Sequence, residues 1–436
     1  MLHDDLEKLD KYPFHMPGHK RNSKFGINGS EIDITEIDGY DNLHSPAGSI
    51  LQIENELSEI YRAEKSFLLV NGSTVGILSA ILAVTNKNDT VIIARNCHQS
   101  VYNACLLNEL NPVYIEPKYD EVHGFYKEIT QNTIDAALQK YKNTAAVVIT
   151  SPTYEGYISS ITSPVPLIID AAHGAHFGFA DFPEYPKADI VISSLHKTLP
   201  SLTQTAVVNV YNNEYIRKVK KYLDILQTSS PSYVLMNSVS KCVEIIKKQP
   251  DLFDKLINNL NWFYDIELKH LQIIKTDDVS KIIISTAKTN INGIRLAEIL
   301  RNNYNIESEM VSINYIILMS SIGDEKSAFE RLKCVLTEID SSLTLSDIKK
   351  IRKPPLSQKK YNQFEINRTR KTEFLKSENM ICAETVFAYP PDIPIIVKGE
   401  IISAEIIDYI NLCFENGINI ISESNLLPRY ILTKDD

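Results

Sequence analysis

The chain has 436 residues, 44% of them hydrophobic and 23% charged, the balance of an ordinary globular protein rather than a disordered or fibrous one. At roughly 150 residues per domain, two or three domains are expected. A formal charge of -10 argues against a nucleic-acid surface, which needs a concentrated basic face.

Six cysteines (Cys97, Cys105, Cys242, Cys334, Cys382 and Cys413) are scattered without a CxxC pair, so they read as reduced thiols. The segment Met1 to Pro13 carries six charged residues and no apolar run, so it is not read as a signal peptide, and a cytoplasmic location is expected. Phe67 to Asn86 is twenty residues without a charge, long enough to consider a membrane span, but Asn71, Gly72, Ser73 and Thr74 interrupt it with turn chemistry. It reads as strand, loop and helix, and no membrane partner is expected.

Taken in chain order, apolar runs suited to buried strands occur at Ser66 to Val70, Thr90 to Arg95, Pro112 to Ile115, Ala145 to Thr150, Pro166 to Asp170, Asp189 to Ser193 and Thr205 to Tyr211. Helical patterns at Val75 to Val84, Ser100 to Leu110 and Thr133 to Tyr141 alternate with them, which predicts an α/β domain with a mainly parallel sheet. Tyr215 to Leu268 reads as helical. A smaller α/β unit follows, with strands Lys281 to Thr286 and Tyr315 to Ser320 and helices Gly293 to Tyr304 and Glu325 to Ile339. The basic, proline-containing stretch Lys349 to Lys360 reads as a connector into a last segment. The boundaries expected are an N-terminal segment over 1–50, a major domain over 51–260, a small domain over 261–345 and a C-terminal segment over 346–436. Nine of the ten histidines and eleven of the fifteen glycines precede residue 200, so site candidates are sought there.

Three elements carry chemistry. Phe67 to Gly76 is a strand, a small polar loop and a helix start, an arrangement whose free amides and helix dipole attract an anion such as phosphate. An ordinary hydroxyl-capped turn is the alternative. Pro166 to His176 delivers Asp170 to a strand end, where ligands gather in open sheets, and a carboxylate there can keep a pyridine nitrogen protonated. A metal reading for Asp170, His173 and His176 fits the ligand types but lacks a fourth ligand, so no metal is expected. Asp189 to Thr198 ends a third strand in Ser194, His196 and Lys197, and a lysine with a depressed pKa suits Schiff-base formation. A solvated loop lysine is the alternative when Lys197 is judged alone. A phosphate loop, then an aspartate, then a lysine is the order of pyridoxal-phosphate enzymes of the aspartate-aminotransferase fold.

With those residues in hand the chain resembles the bacterial ornithine, lysine and arginine decarboxylase family, in its short form. The resemblance runs through Phe14 to Lys20, Asp38 to His44 with Pro46 and Gly48, Asn71 to Thr74, Arg95 to His98, Ser151 to Gly156, Asp170 with His173 to His176, Ser194 to Leu199, Thr228 to Tyr233 and Ala388 to Pro391. It implies a fold-type I architecture and pyridoxal 5'-phosphate as cofactor. The implied reaction is α-decarboxylation of a basic amino acid, with lysine, arginine and ornithine left open. It further implies that Ser73, Thr74, Ser194 and His196 hold the phosphate, that His98 stacks on the pyridine ring and that Asp170 pairs with its nitrogen. Lys197 would carry the cofactor as a Schiff base, with His173 beside the ring. Thr228 and Ser229 would reach the cofactor of a neighbouring subunit, which makes a homodimer or higher homo-oligomer the expected partner. Local capping is the alternative for His98. Glu384 is the candidate acid for a basic side chain, against the alternative of a surface glutamate.

Relatives usually have Asp-Glu-Ala-His where this chain has Asp170-Ala171-Ala172-His173, and Tyr-Pro-Pro-Gly where it ends in Asp392. Only thirteen residues join Gly156 to Asp170, where relatives carry a crossover helix. These departures bear on the substrate pocket and efficiency, not on the cofactor residues. Transamination or another fold-type I reaction, and an inactive cofactor-binding relative, remain the alternatives.

Overall fold

Apolar runs become buried strands, and the helices between them range from α3, apolar nearly all round, to the amphipathic α7. The computed structural model describes residues 1–9, 12–348, 351–388 and 393–435. The string Tyr389-Pro390-Pro391 and Asp392, singled out above, lie outside the described residues, as do Lys349 and Lys350 of the connector. The strands are β1 (Lys65–Leu69), β2 (Thr90–Ala94), β3 (Asn111–Ile115), β4 (Tyr119–Asp120), β5 (Phe125–Tyr126), β6 (Thr144–Thr150), β7 (Leu167–Asp170), β8 (Ile190–Ser194), β9 (Ala206–Val210), β10 (Gln272–Ile274), β11 (Lys281–Ser285), β12 (Met310–Val311), β13 (Tyr315–Met319), β14 (Thr369–Glu373), β15 (Val386–Ala388), β16 (Ile393–Ile396), β17 (Ile420–Ser422) and β18 (Tyr430–Lys434). The helices are α1 (Leu2–Glu7), α2 (Ser49–Tyr61), α3 (Gly72–Val84), α4 (Gln99–Leu107), α5 (Gln131–Lys140), α6 (Leu195–Thr198), α7 (Asn213–Leu226), α8 (Tyr233–Lys248), α9 (Asp251–Tyr264), α10 (Gly293–Tyr304), α11 (Lys326–Ser341) and α12 (Ala404–Glu415). No helix among the described residues is long and apolar enough to cross a membrane.

The chain forms two compact units interleaved in sequence. The first comprises residues 1–84, 166–257 and 321–323. Its strands lie in the order β1-β9-β8-β7. β7 and β8 are parallel, with Asp170 opposite Ile192, whereas β8–β9 and β1–β9 are antiparallel. The mainly parallel pattern expected from the sequence therefore reverses at this edge. Every residue of β7, β8 and β9 is buried, as expected of strands covered on both faces. Helix α3 packs directly on β1, β8 and β9, and Gly76 makes that approach possible. A Cβ there would meet Val208 at 2.7 Å and Leu69 at 2.8 Å. Helix α2 begins where the Asp41 carboxylate accepts the backbone N–H groups of Ala47, Gly48 and Ile50, each at 2.8 Å, and of Leu51 at 3.2 Å. Burial alone would raise the Asp41 pKa, but those amides hold it below its ordinary value. The Asp38 to His44 string thus contains a helix cap.

The second unit comprises residues 85–165, 258–320 and 324–436. β3, β2 and β6 are neighbours in that order, with both pairs parallel. Residues 151–166 contain no helix, in keeping with the short connection read from the sequence. A second sheet of this unit, β10-β11-β13-β12, is antiparallel throughout. α10 and α11 each turn an apolar face inward, burying Leu296 and Leu300 and Leu332 and Leu336. Beyond them β16-β15-β17, β18 and α12 share a core of Ile395, Ile396, Ile406, Ile410 and Ile431. The Arg95 guanidinium forms a buried two-pronged pair with Glu400, at 2.8 and 2.9 Å, and donates to the Ile395 carbonyl at 3.1 Å.

Candidate active site

Parallel pairing of β7 and β8 continues past their ends. Ala171 N–H donates to Ile192 O at 2.8 Å and Ser194 N–H to Ala172 O at 3.3 Å. The segments carrying Asp170 to His173 and Ser194 to Lys197 therefore leave the sheet side by side. Asp170 is 3% exposed, and one of its oxygens accepts the Ala172 N–H at 3.1 Å. Lys197 sits on α6, immediately after β8, with its Nζ 3.1 Å from His173 Nε2. Tyr61 donates its hydroxyl to Ala175 O at 2.8 Å and so ties down the loop that carries His173.

Around this pair are groups suited to a phosphate. Ser194 Oγ is buried and has no hydrogen-bond partner among the described residues, a deficit worth about 1–3 kcal/mol that a ligand oxygen would relieve. Ser73, half-buried, and Thr74, exposed, occupy the first turn of α3, where backbone N–H groups lack helical partners. Gly72 has φ +74°, and a Cβ there would meet nothing within 4 Å, so the mouth of the loop is open. His196 Nδ1 donates to Thr205 O at 2.9 Å, and burial together with the Lys197 charge holds its pKa below the ordinary value. The residues present therefore fit a phosphorylated pyridine aldehyde bound at Lys197.

Thr228 is held from both sides by its own chain. Its N–H donates to Asn71 Oδ1 at 3.1 Å, and His44 Nε2 donates to its carbonyl at 2.8 Å. The other ring nitrogen of His44 lies 3.1 Å from Asp224 Oδ1. This clasp fixes the exposed Thr228 and Ser229 next to the Asn71 loop.

His98 lies in the second unit and caps α4, its Nδ1 accepting the Ser100 N–H at 3.1 Å. The capping alternative is thus realised, and the bond fixes the ring's orientation. Glu384 is fully buried, which overturns the surface alternative, and its two oxygens accept the backbone N–H groups of Leu432, at 2.7 Å, and Ser424, at 2.8 Å. It clasps backbone within the second unit.

Sequence reasoning also missed Glu155. It belongs to the quoted Ser151 to Gly156 string, yet nothing in that string distinguished it from a turn residue. Its side chain is 5% exposed and accepts the Tyr315 hydroxyl at 3.0 Å. Burial pushes the carboxyl up to about 7, against hydrogen bonds from its own N–H and from Tyr315. Gly156 beside it has φ +93°, and a Cβ would come within 2.7 Å of Thr276 Oγ1.

Comparison with known proteins bears on this arrangement. Residues 5–282 match the family model "Orn/Lys/Arg decarboxylase, major domain". The chain is 31% identical to protein YaaO of Bacillus subtilis, over 91% of this chain and 90% of the relative. It is 29% identical to an arginine decarboxylase of the same organism, over 93% and 91%. Among solved structures, the lysine decarboxylase LdcF of Francisella novicida superposes with a TM-score of 0.82 at 17% identity, covering 100% of this chain and 81% of that one. The constitutive lysine decarboxylase of Escherichia coli gives the same score and coverage at 16% identity. The α/β architecture is therefore that of the lysine decarboxylases, and the strand ends bearing Asp170, His173 and Lys197 lie within the matched region. By sequence match and by fold, the chain belongs to the Orn/Lys/Arg decarboxylase family.

Proposed function

We propose that the protein is a pyridoxal-phosphate-dependent decarboxylase that converts lysine, arginine or ornithine to the corresponding amine and CO2. The observation that carries this reading is the Lys197–His173 pair, 3.1 Å apart, beside the buried Asp170 at the ends of two parallel strands. Relatives named arginine decarboxylase support the reaction class. The bound cofactor supplies an electron sink for the pair released when the bond from Cα to the carboxylate breaks.

This chain's residues do the rest. Lys197 Nζ would hold the cofactor through its aldehyde group. Asp170, buried at the end of β7, would hold a proton on the ring nitrogen. Ser73, Thr74, Ser194 and His196 would bind the phosphate, and His98 is the residue proposed to stack on the ring. His173 Nε2 and Lys197 Nζ are within hydrogen-bond reach of each other, so a proton can pass between them and on to Cα.

A second copy of the chain is the expected partner, and cytoplasm the expected location. Tyr12, Phe14, Met16, Phe25 and Ile27 stand exposed in the N-terminal segment, an apolar surface that another subunit would cover. Thr228 and Ser229 are the residues proposed to reach the partner's cofactor.

Incubating the cofactor-loaded protein with each of the twenty amino acids tests the reading. CO2 and amine from a basic substrate are expected, with Asp170→Asn losing several orders of magnitude in turnover while retaining cofactor. A keto acid product would move the protein to transamination. Bound cofactor with no product from any amino acid would mark an inactive relative.

A further inference from the structure

Two serines end β8, and nothing in that strand's own pattern says which of them should face a ligand. Ile190, Val191 and Ile192 are apolar and buried on both faces, so a one-residue slip would exchange Ser193 and Ser194 without exposing an apolar side chain. The Oγ of Ser194 has no hydrogen-bond partner among the described residues, so its own side chain does not set its direction. The fixing contact falls on the other serine.

Helix α3 lies against the sheet face that carries Leu69, Ile192 and Val208. Alternation along each strand places Ser194 on that same face and Ser66, Ser193 and Asn209 on the opposite one. There the three polar side chains, all fully buried, are joined through Tyr185, which comes from the segment between β7 and β8. Ser66 donates its hydroxyl to Asn209 Oδ1 at 2.6 Å, and Asn209 Nδ2 donates to the Tyr185 hydroxyl at 2.8 Å. The Tyr185 and Ser193 hydroxyls share a hydrogen bond at 2.6 Å. Burial raises the Tyr185 pKa against these bonds, so the hydroxyl stays neutral and able to donate. A buried polar chain paired at every link favours one register over its neighbours, because a slip would leave hydroxyls and an amide unpaired in the core. The Tyr185 ring packs on Tyr61, with centroids 4.5 Å apart, a contact that does not involve the hydroxyl.

We propose that Tyr185 is a positioning residue for the cofactor phosphate: through Ser193 it holds the end of β8 in the register that turns Ser194 toward the first turn of α3. This rests on the phosphate placement proposed above and adds to it a residue that acts through the strand rather than on the ligand.

Calorimetric titration of the full cofactor-free chain with pyridoxine 5'-phosphate and with pyridoxine tests the role. Both carry an alcohol where the cofactor has its aldehyde, so neither condenses with Lys197, and they differ only in the phosphate. Tyr185→Phe keeps the ring on Tyr61 and removes the hydroxyl; it should weaken pyridoxine 5'-phosphate about tenfold and pyridoxine by less than about twofold. Ser193→Ala removes the other end of the same bond and should behave alike, with retained pyridoxine binding showing that the ring site is folded. Ser194→Ala should also weaken the phosphate probe alone, and adding Tyr185→Phe to it should cost less than about twofold more. Equal weakening of both probes, full affinity for pyridoxine 5'-phosphate in Tyr185→Phe and Ser193→Ala, or full additivity with Ser194→Ala would each overturn the positioning role. Full affinity of Ser194→Ala for pyridoxine 5'-phosphate would retire the phosphate placement and the role of Tyr185 with it. The expected binding pattern in a chain that releases no CO2 from any amino acid would retire only the decarboxylase reading.

Discussion

Lys197 Nζ and His173 Nε2 are separated by 3.1 Å, so one of the two nitrogens donates to the other. Replacing Lys197 with alanine removes the proposed point of cofactor attachment. Turnover should vanish, while the phosphate contacts proposed at Ser194, Ser73 and Thr74 should keep cofactor bound. Absorbance and phosphate analysis after gel filtration check retention, and normal activity would refute the assignment of Lys197.

Substituting His173 by phenylalanine leaves a ring of similar size but removes the nitrogen. A positioned proton donor is worth about 10²–10⁴ in rate. kcat should fall within that range with KM changed by only a few fold, because the lost interaction acts on proton movement rather than on binding. A His173→Phe enzyme with unchanged kcat would leave proton return to Lys197 alone.

The clasp on Thr228 gives a test of subunit exchange. If Thr228 and Ser229 serve the partner's cofactor, inactive Lys197→Ala and Thr228→Ala chains mixed and reassembled should regain activity, since one of the two sites in a hybrid dimer is intact. Failure to complement, with both variants separately dead, argues that Thr228 serves its own subunit. His44→Ala should mimic Thr228→Ala in weaker form, because it frees the Thr228 carbonyl without removing the side chain.

Glu155 makes a prediction about stability and pH. In the unfolded chain its carboxyl loses its proton around the ordinary glutamate value of 4.5, but in the folded protein only at about 7. The folded state therefore binds the proton more tightly, and stability is lost as pH rises through that window. The tyrosines facing it, Tyr119, Tyr126, Tyr157 and Tyr315, are all shifted upward, away from that window. Glu155→Gln cannot ionise, so its melting temperature relative to the parent should climb between pH 4.5 and 7 and level off above. A difference that stays flat across the window would contradict the raised pKa.

For Glu384, the two backbone N–H groups it accepts make it a structural clasp. Glu384→Ala leaves those half-buried donors without their partner, a cost of about 1 kcal/mol each. Thermal denaturation should register a loss of several degrees, with KM for a basic substrate unchanged in whatever protein remains folded. A raised KM at undiminished stability would restore the pocket role.

Much of this arrangement is legible in the sequence because buried strands announce themselves. Runs such as Thr90–Ala94 and Ile190–Ser194 have no solvent-facing residue to break the apolar pattern, and the polar residues following them fall at ligand-binding strand ends. Strand direction is not written in such runs, which is why the antiparallel β9 and β1 were not anticipated. β14 eluded reading for the opposite reason: Thr369–Glu373 is almost wholly exposed and polar, with no apolar signal at all. The His44 contact to Thr228 spans 184 residues and involves a main-chain carbonyl, so no local pattern encodes it.

The pairing of Arg95 with Glu400 has a consequence for the order in which the chain can mature. A guanidinium that is buried without its counter-charge is strongly unfavourable, so the turn after β2 cannot settle until residue 400 is available. On the ribosome, the β3-β2-β6 strands are complete at Thr150 yet must wait for about 250 further residues, and at roughly 5–20 residues per second that is a delay of about 12–50 seconds. Chains that stop short of Glu400 would keep this sheet unfinished, with apolar strands exposed to chaperones and proteases rather than closed into the second unit.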